Sequence, residues 1–263
     1  MNIKLYQVDA FTSRVFAGNP AAVVPLESWL PDTVMQSIAI ENNLSETAFF
    51  IPEGDGFHLR WFTPATEVDL CGHATLGSAF VLFELLGYEG DKIRFNTREG
   101  DLYVERHADG ELEMDFPSKM PVRCDAPAVL FESLGIEPVE VFTNEDYLVL
   151  LPSEAHVRSI EPDFKLMEEV DTRGIIVTAS GDEVDFVSRF FAPRYGIDED
   201  PVTGSAHCVL TPFWAERLSK STLRAKQISR RVGELKCSVR GSRVAIAGHA
   251  VKYMQAELDI PLD

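Results

Sequence analysis

The sequence predicts a mixed α/β protein of the α+β class, built from two similar halves. Short strand-like stretches alternate with helical stretches along the chain, which argues against an all-helical bundle. Hydrophobic residues make up 45% of the 263 residues, enough to fill real cores. A segment of the first half also recurs in the second, as expected of a chain with an internal structural repeat.

The first half opens with strands and then alternates between strands and helices. Strand-like patterns cover residues 5–11, 21–25, 47–51 and 57–62. A helix is predicted over residues 31–42, because Pro31 suits a helix start and Asn42-Asn43 suits an end. A second helix is predicted over residues 74–86. Its nearly continuous apolar sequence indicates a helix buried on every side, closed by Gly87.

The repeat joins this half to the second. Arg60-Trp61-Phe62-Thr63-Pro64 resembles Arg189-Phe190-Phe191-Ala192-Pro193 at an offset of 129 residues, 189 minus 60. Each segment leads into a turn rich in Thr, Gly, Ser and Ala, which opens an apolar helix, the second over residues 205–218. A chance match is the alternative to two halves built alike. Under this alignment Cys71 corresponds to Asp200.

The repeat places one half at residues 1–118 and the other at residues 119–249, and a strand near 250–263 is expected to complete the first. The second half contains a predicted capped helix over residues 125–134, ended by Gly135, and a strand over residues 147–151. The two apolar helices are expected to point their N-termini at one shared cleft. Unpaired N–H groups and partial positive charge there favour an anionic ligand such as a carboxylate.

The charge and motif content exclude several classes of protein. The chain has 42 acidic and 24 basic residues, a formal charge of -18, which repels nucleic acid and anionic membranes. The four cysteines are scattered without metal-ligand or disulfide spacing. No signal peptide and no apolar run of about 18 residues is apparent, so a cytoplasmic location is expected. No Gly-rich nucleotide loop occurs, and we expect no cofactor.

Four motifs together resemble one known family. They are residues 16–23 (FAGNPAAV), 44–49 (LSETAF), 69–75 (DLCGHAT) and 198–207 (DEDPVTGSAH). In this order they resemble the PhzF-like proteins, named for the phenazine-biosynthesis isomerase. The resemblance implies the diaminopimelate-epimerase-like fold, in which each half wraps a curved mixed sheet around a central helix. It also implies a cofactor-independent isomerase or epimerase with its site between the halves, and a homodimer.

Carried over to this sequence, the resemblance implies an acid/base role for Glu46, with His73 and Asp200 stabilising the enol or enolate formed from the substrate. A carboxylate in an apolar pocket is a competent proton carrier, and Glu46 lies in a mostly apolar stretch. The ligand is expected to be a small acidic metabolite. The residues expected to bind it are Ser205, Gly72, Gly204 and Asn19. Asn19 is otherwise explained as a turn residue.

The sequence departs from diaminopimelate epimerase at one of its two catalytic cysteines. Cys71 matches the first position, but Asp200 stands at the second, which argues against racemisation by two thiols. Cys71 is interpreted either as a small buried hydrophobe or as an inherited base. Asp69, Cys71 and His73 would suit zinc or iron on one strand face. Gly72 and the helix starting beside His73 argue against such a strand, so no metal is predicted.

Two other functions remain open at this point. A non-catalytic protein that binds a small metabolite would keep the cleft but would not need Glu46. A cysteine hydrolase using Cys71 and His73 would need an oxyanion site, for which the sequence gives no convincing arrangement.

Overall fold

The computed structural model describes residues 2–260 and divides the chain into two compact units. Unit 1 runs up to Asp115 and also contains the residues from Ala247 onward, and unit 2 spans Phe116–Ile246. Met1 and residues 261–263 lie outside the described residues; the latter belong to the strand predicted near 250–263. None of the described helices has the length and apolar character of a membrane span.

The elements follow the predicted alternation. The strands are β1 (Asn2–Ala10), β2 (Asn19–Pro25), β3 (Glu46–Glu53), β4 (Gly56–Phe62), β5 (Glu67–Val68), β6 (Lys92–Thr97), β7 (Gly100–Arg106), β8 (Leu112–Pro117), β9 (Val122–Arg123), β10 (Glu140–Thr143), β11 (Tyr147–Leu150), β12 (Ile175–Ser180), β13 (Phe186–Ala192), β14 (Ile197–Asp200), β15 (Thr222–Gln227), β16 (Gly233–Arg240), β17 (Arg243–Gly248) and β18 (Ala250–Asp259). The helices are α1 (Asp32–Asn42), α2 (Gly72–Phe80), α3 (Ala128–Leu134), α4 (Glu154–Ser159), α5 (Phe164–Met167) and α6 (Gly204–Leu218).

In unit 1, α2 is the buried helix around which the sheet is built. β2 lies between β1, to which it is antiparallel, and β3, to which it is parallel. β18 extends the sheet beyond β1, and β4, β6 and β7 extend it beyond β3. α2 packs against β1, β2 and β3. The helix predicted over residues 74–86 begins at Gly72 and continues after Phe80 as a π-helical turn, Val81–Leu85. Its first turns are buried as expected, but its end is not, because Glu84 and Leu86 are exposed.

In unit 2 the sheet order is β9, β10, β11, β12, β13, β15 and β16. α6 packs against β15 and β16 and confirms the helix predicted over residues 205–218. The helix predicted over residues 125–134 ends correctly at Gly135, which is left-handed. Its predicted start is wrong, because Pro127 occupies the N-cap and disfavours helical backbone at the residue before it, so α3 begins at Ala128.

The repeated segments form the same local structure in the two units. Arg60 on β4 donates two hydrogen bonds to Glu67 on β5, at 2.7 and 2.8 Å. Arg189 on β13 does the same to Glu199 on β14, at 2.7 and 3.1 Å. Each guanidinium also lies over the phenylalanine ring two residues along its strand, at 5.1 and 4.9 Å. The same clamp between a strand and the short strand following it therefore explains why the arginine and the phenylalanine recur.

Candidate active site

Three polar side chains of unit 1 meet at the start of α2. Asn19 begins β2, Glu46 begins β3, and His73 is the second residue of α2. β2 and β3 are parallel neighbours, with Ala21 beside Glu46, so both strands begin at the same edge of the sheet. The first turn of α2 brings His73 Nε2 to 3.2 Å from Glu46 Oε2 and His73 Nδ1 to 3.2 Å from Asn19 Nδ2.

These contacts define the protonation of His73. An amide nitrogen can only donate, so Asn19 donates to Nδ1 and the ring proton lies on Nε2. His73 is 5% exposed, and burial lowers its pKa to about 3. The ring is therefore neutral near pH 7, with its single N–H beside the Glu46 carboxylate.

The His73 N–H is poised for a ligand. Nε2 makes no aligned hydrogen bond with any described residue, although Glu46 Oε2 is only 3.2 Å away. A buried polar group left without a partner costs about 1–3 kcal/mol. Donors in catalytic sites often become aligned only when substrate binds. A substrate oxygen placed at Nε2 would satisfy this donor.

Cys71 raises the question of a metal. Glu46, Cys71 and His73 offer a carboxylate, a thiol and an imidazole within 4.8 Å of one another, a donor set that suits zinc. Asp69, which the sequence grouped with Cys71 and His73, instead accepts a hydrogen bond from Arg98 at 2.9 Å. The thiol lies 3.5 Å from Nδ1, whereas the carboxylate contacts Nε2. The thiol and the carboxylate thus approach different nitrogens of the same ring.

In unit 2 a network of hydrogen bonds orients Asp200, the last residue of β14. Asp200 Oδ2 accepts a hydrogen bond from Thr203 Oγ1 at 2.5 Å. The buried Gln227 donates to Thr203 Oγ1 at 3.1 Å and to the Asp200 backbone oxygen at 2.7 Å, and accepts from Thr203 N at 2.8 Å. Because the Thr203 oxygen receives a proton from Gln227, its own proton points to Asp200. Asp200 Oδ2 is therefore held as a hydrogen-bond acceptor.

Ser205 has a cationic neighbour that the sequence did not reveal. Ser205 is the second residue of α6, and its Oγ accepts a hydrogen bond from Arg173 Nη2 at 3.3 Å. Arg173 in turn donates to both oxygens of the buried Asp146, at 2.9 and 2.5 Å. Arg173 and Asp146 lie in the connections before β12 and β11, outside the four motifs, and no local pattern marks them.

The two predicted glycines, Gly72 and Gly204, begin α2 and α6. Within the described chain no side chain caps either helix. The first-turn N–H groups of each helix are therefore able to bind an anion.

The predicted site residues form one group in each unit. In unit 1, Asn19, His73 and Glu46 are brought together. In unit 2, Asp200 and Ser205 flank the start of α6 and have different hydrogen-bond partners. Sequence reasoning missed Thr203, Gln227, Arg173 and Asp146. Thr203 lies inside the fourth motif, three residues after Asp200, so that spacing was the one available signal.

Comparison with known proteins agrees with the motifs. A family model described as phenazine biosynthesis-like protein, PhzC-PhzF, matches residues 8–256. A Pseudomonas aeruginosa protein named an uncharacterized isomerase is 54% identical over 252 residues, covering 95% of this chain and 96% of its own. The crystal structure of a PhzF-family protein from Enterococcus faecalis has a TM-score of 0.97 at 47% identity, covering 99% of this chain and 100% of its own. A probable proline racemase from Agrobacterium radiobacter shares the fold alone, with a TM-score of 0.61 at 10% identity over 99% of this chain and 93% of its own.

Proposed function

The chain belongs to the phenazine biosynthesis-like family, and on this premise we propose that it is a cofactor-independent isomerase or epimerase acting on a small carboxylate-bearing metabolite. One observation carries the proposal: a neutral, buried His73 holds its N–H beside the Glu46 carboxylate, 3.2 Å away. A base and a neutral donor side by side suit the removal of a proton from carbon next to an oxygen-bearing group. The isomerase name of the Pseudomonas relative supports the same class of reaction.

Glu46 is the proposed proton carrier. Its carboxylate takes a proton from a substrate carbon, and the electrons of the broken C–H bond pass into an enol or enolate. His73 Nε2–H hydrogen-bonds the oxygen on which negative charge develops. Asn19 keeps the ring in the tautomer that can do this. Glu46 then returns the proton to another carbon of the substrate, or to the other face of the same carbon, so no external reactant is consumed.

Unit 2 and the start of α2 in unit 1 are proposed to bind and orient the substrate. Ser205 and the first-turn amides beginning at Gly72 and Gly204 would hold the carboxylate, and Asp200 would accept a hydrogen bond from a substrate O–H or N–H. The meeting of these groups with Glu46 in one cleft stays a prediction from the family resemblance, as do the homodimer and the cytoplasmic location.

Hydrogen exchange tests the proposal with a mixture of candidate substrates in place of a single compound. The protein is incubated in deuterium oxide with small acidic metabolites extracted from cells, and mass spectrometry detects deuterium bound to carbon. Glu46→Gln is compared with Glu53→Gln, a matched change at the other end of β3, where the side chain is 46% exposed. A chelator is added in a parallel series to test for metal.

Glu46→Gln is expected to lower exchange by roughly a hundredfold or more, the usual contribution of a general base. Glu53→Gln and the chelator should leave exchange unchanged. Wild-type exchange rates in Glu46→Gln would contradict the role of Glu46. A metabolite retained by the wild type without any exchange would instead favour the non-catalytic binding protein.

A further inference from the structure

Arg173 is fixed in place and still has unused hydrogen-bond donors. The buried Asp146 accepts from its Nε and Nη2, and the second Nη2 proton goes to Ser205 Oγ. The two Nη1 protons have no hydrogen-bond partner among the described residues, and 39% of the side chain is exposed. The guanidinium is thus held in one orientation with an open edge.

Gly174 and Phe190 pack closely around the ion pair of Arg173 and Asp146. Gly174 follows Arg173, and a Cβ at Gly174 would lie 2.3 Å from the Phe190 ring and 3.0 Å from Asp146 Oδ1. The Arg173 guanidinium also lies 6.0 Å from that ring. Close packing and a bidentate carboxylate fix the guanidinium before a ligand arrives, which lowers the entropy cost of binding.

Arg173 also determines where the Ser205 proton points. A guanidinium can only donate, so the Ser205 oxygen accepts from Arg173 and its own proton is directed elsewhere. Ser205 lies in the first turn of α6, whose N–H groups have no side-chain cap within the described chain. The free edge of Arg173, the Ser205 hydroxyl and the first-turn amides therefore form one group of donors.

We propose that Arg173 is a specificity-determining residue that binds the carboxylate of a monocarboxylic acid on its Nη1 edge, together with the Ser205 hydroxyl. The identity of this acid as the substrate rests on the proposed function, and the proposal narrows that substrate to acids with one ionised carboxylate at this position. The carboxylate would accept a charge-assisted hydrogen bond from Nη1 and a second hydrogen bond from the Ser205 hydroxyl, whose proton points away from Arg173. Asp146 offsets the positive charge of Arg173, and Glu145 offsets that of the nearby Lys119. Because no excess positive charge remains in these two pairs, the surroundings suit a ligand with one negative charge rather than a phosphate ester with two.

Binding of simple acids tests this inference. Isothermal titration calorimetry measures the affinity of the wild type for benzoate, sorbate and 2-furoate, and for benzamide as the neutral counterpart of benzoate. At least one acid is expected to bind, and benzoate more tightly than benzamide. No saturable binding of any of the three acids would overturn the proposal.

The variants are chosen so that folding and recognition are separated. Arg173→Gln alone leaves Asp146 buried without its cation, which destabilises a fold. The double variant Asp146→Asn/Arg173→Gln replaces the pair by neutral amides, so that no charge stays buried without a partner. Arg158→Gln, which removes an exposed arginine paired with Glu154 on α4, is the matched control.

The double variant should fold, as judged by circular dichroism, and should bind the acids roughly tenfold to a hundredfold more weakly, with no preference for benzoate over benzamide. Arg158→Gln should bind as the wild type does. Wild-type affinity and acid preference in the double variant would overturn the proposal. Glu46→Gln should still bind the acids, so a failure of proton transfer at Glu46 and a failure of carboxylate binding at Arg173 give different results.

Discussion

His207 is expected to make the stability of unit 2 depend on pH. Its ring is fully buried in α6; Nδ1–H donates to the Thr203 backbone oxygen at 2.8 Å, and Nε2 has no hydrogen-bond partner among the residues described. Burial lowers the pKa of His207 to about 4, and the bond to Thr203 opposes part of that shift. The folded chain therefore keeps this imidazole neutral at pH values where the unfolded chain, with a pKa of about 6.5, protonates it.

The size of the effect follows from the difference between these two pKa values. Because the folded pKa is the lower one, the unfolded state binds more protons, and stability falls as the pH drops below about 6.5 and stops falling below about 4. At about pH 5 the loss is about 2 kcal/mol, at about 1.4 kcal/mol per pH unit. For a domain of 150–250 residues, 1 kcal/mol changes Tm by about 2–4 °C, so His207 should account for about 4–8 °C.

Thermal unfolding followed by circular dichroism at about pH 7.5 and about pH 5 measures this effect. The perturbation is His207→Asn, whose amide N–H can still donate to the Thr203 oxygen but does not titrate. His156→Asn, on the exposed surface of α4, is the control. His207→Asn should lose about 4–8 °C less than the wild type on acidification, and the control should behave as the wild type. An equal change in Tm for the wild type and His207→Asn would refute the reasoning.

Two further predictions concern packing. Gly18→Ala should destabilise unit 1 severely, because Gly18 has a φ of +63° and its Cβ would lie 2.1 Å from the Ala10 oxygen; Gly87→Ala, with a φ of +71° and nothing within 4 Å, should cost only about 1–2 kcal/mol. Equal losses of Tm in the two variants would contradict the steric argument. Burial raises the pKa of Cys208 and Cys237 to about 12, so iodoacetamide at about pH 8 should label both only after denaturation, as read by peptide mass spectrometry. Labelling of either cysteine in the folded protein would show that its thiol is reached by solvent.

Local sequence predicted the element ends that local chemistry determines. Asn43 ends α1 in the left-handed conformation with a φ of +50°, as the Asn42-Asn43 pair suggests. The predicted start of α3 at residue 125 is wrong because Pro127 disfavours helical backbone at the residue before it. The π-helical turn after Phe80 could not be predicted, since an apolar run has the same pattern whether its backbone bonds reach back four residues or five.

The candidate site was predictable only where a motif marks it. Glu46 and His73 stand in short motifs that carry a recognisable pattern. The bond that defines the tautomer of His73 comes from Asn19, 54 residues away, and the anchor of Arg173 is Asp146, 27 residues away. Such pairs form through strand pairing and packing, which no local spacing encodes.

The two units share the repeated segment but differ in the polar site residues that follow it, and these two facts have different causes. The arginine and the phenylalanine two residues later recur in both units, because each unit needs the same clamp between a strand and the short strand after it. The glutamate that completes each clamp comes from a different position of that short strand, since Glu67 corresponds to Gly196 at the offset of the repeat. The polar chemistry that follows the clamp does not recur: unit 1 carries a neutral imidazole beside a carboxylate, and unit 2 carries an oriented carboxylate and a fixed guanidinium. Racemisation by two thiols, against which the sequence argues, uses the same group from each half. Different groups suit a substrate whose parts are treated differently, with one part held as an anion and the other exchanging a proton. Under the proposed isomerisation, the fold therefore accounts for what the two halves retain in common, and the chemistry accounts for where they differ.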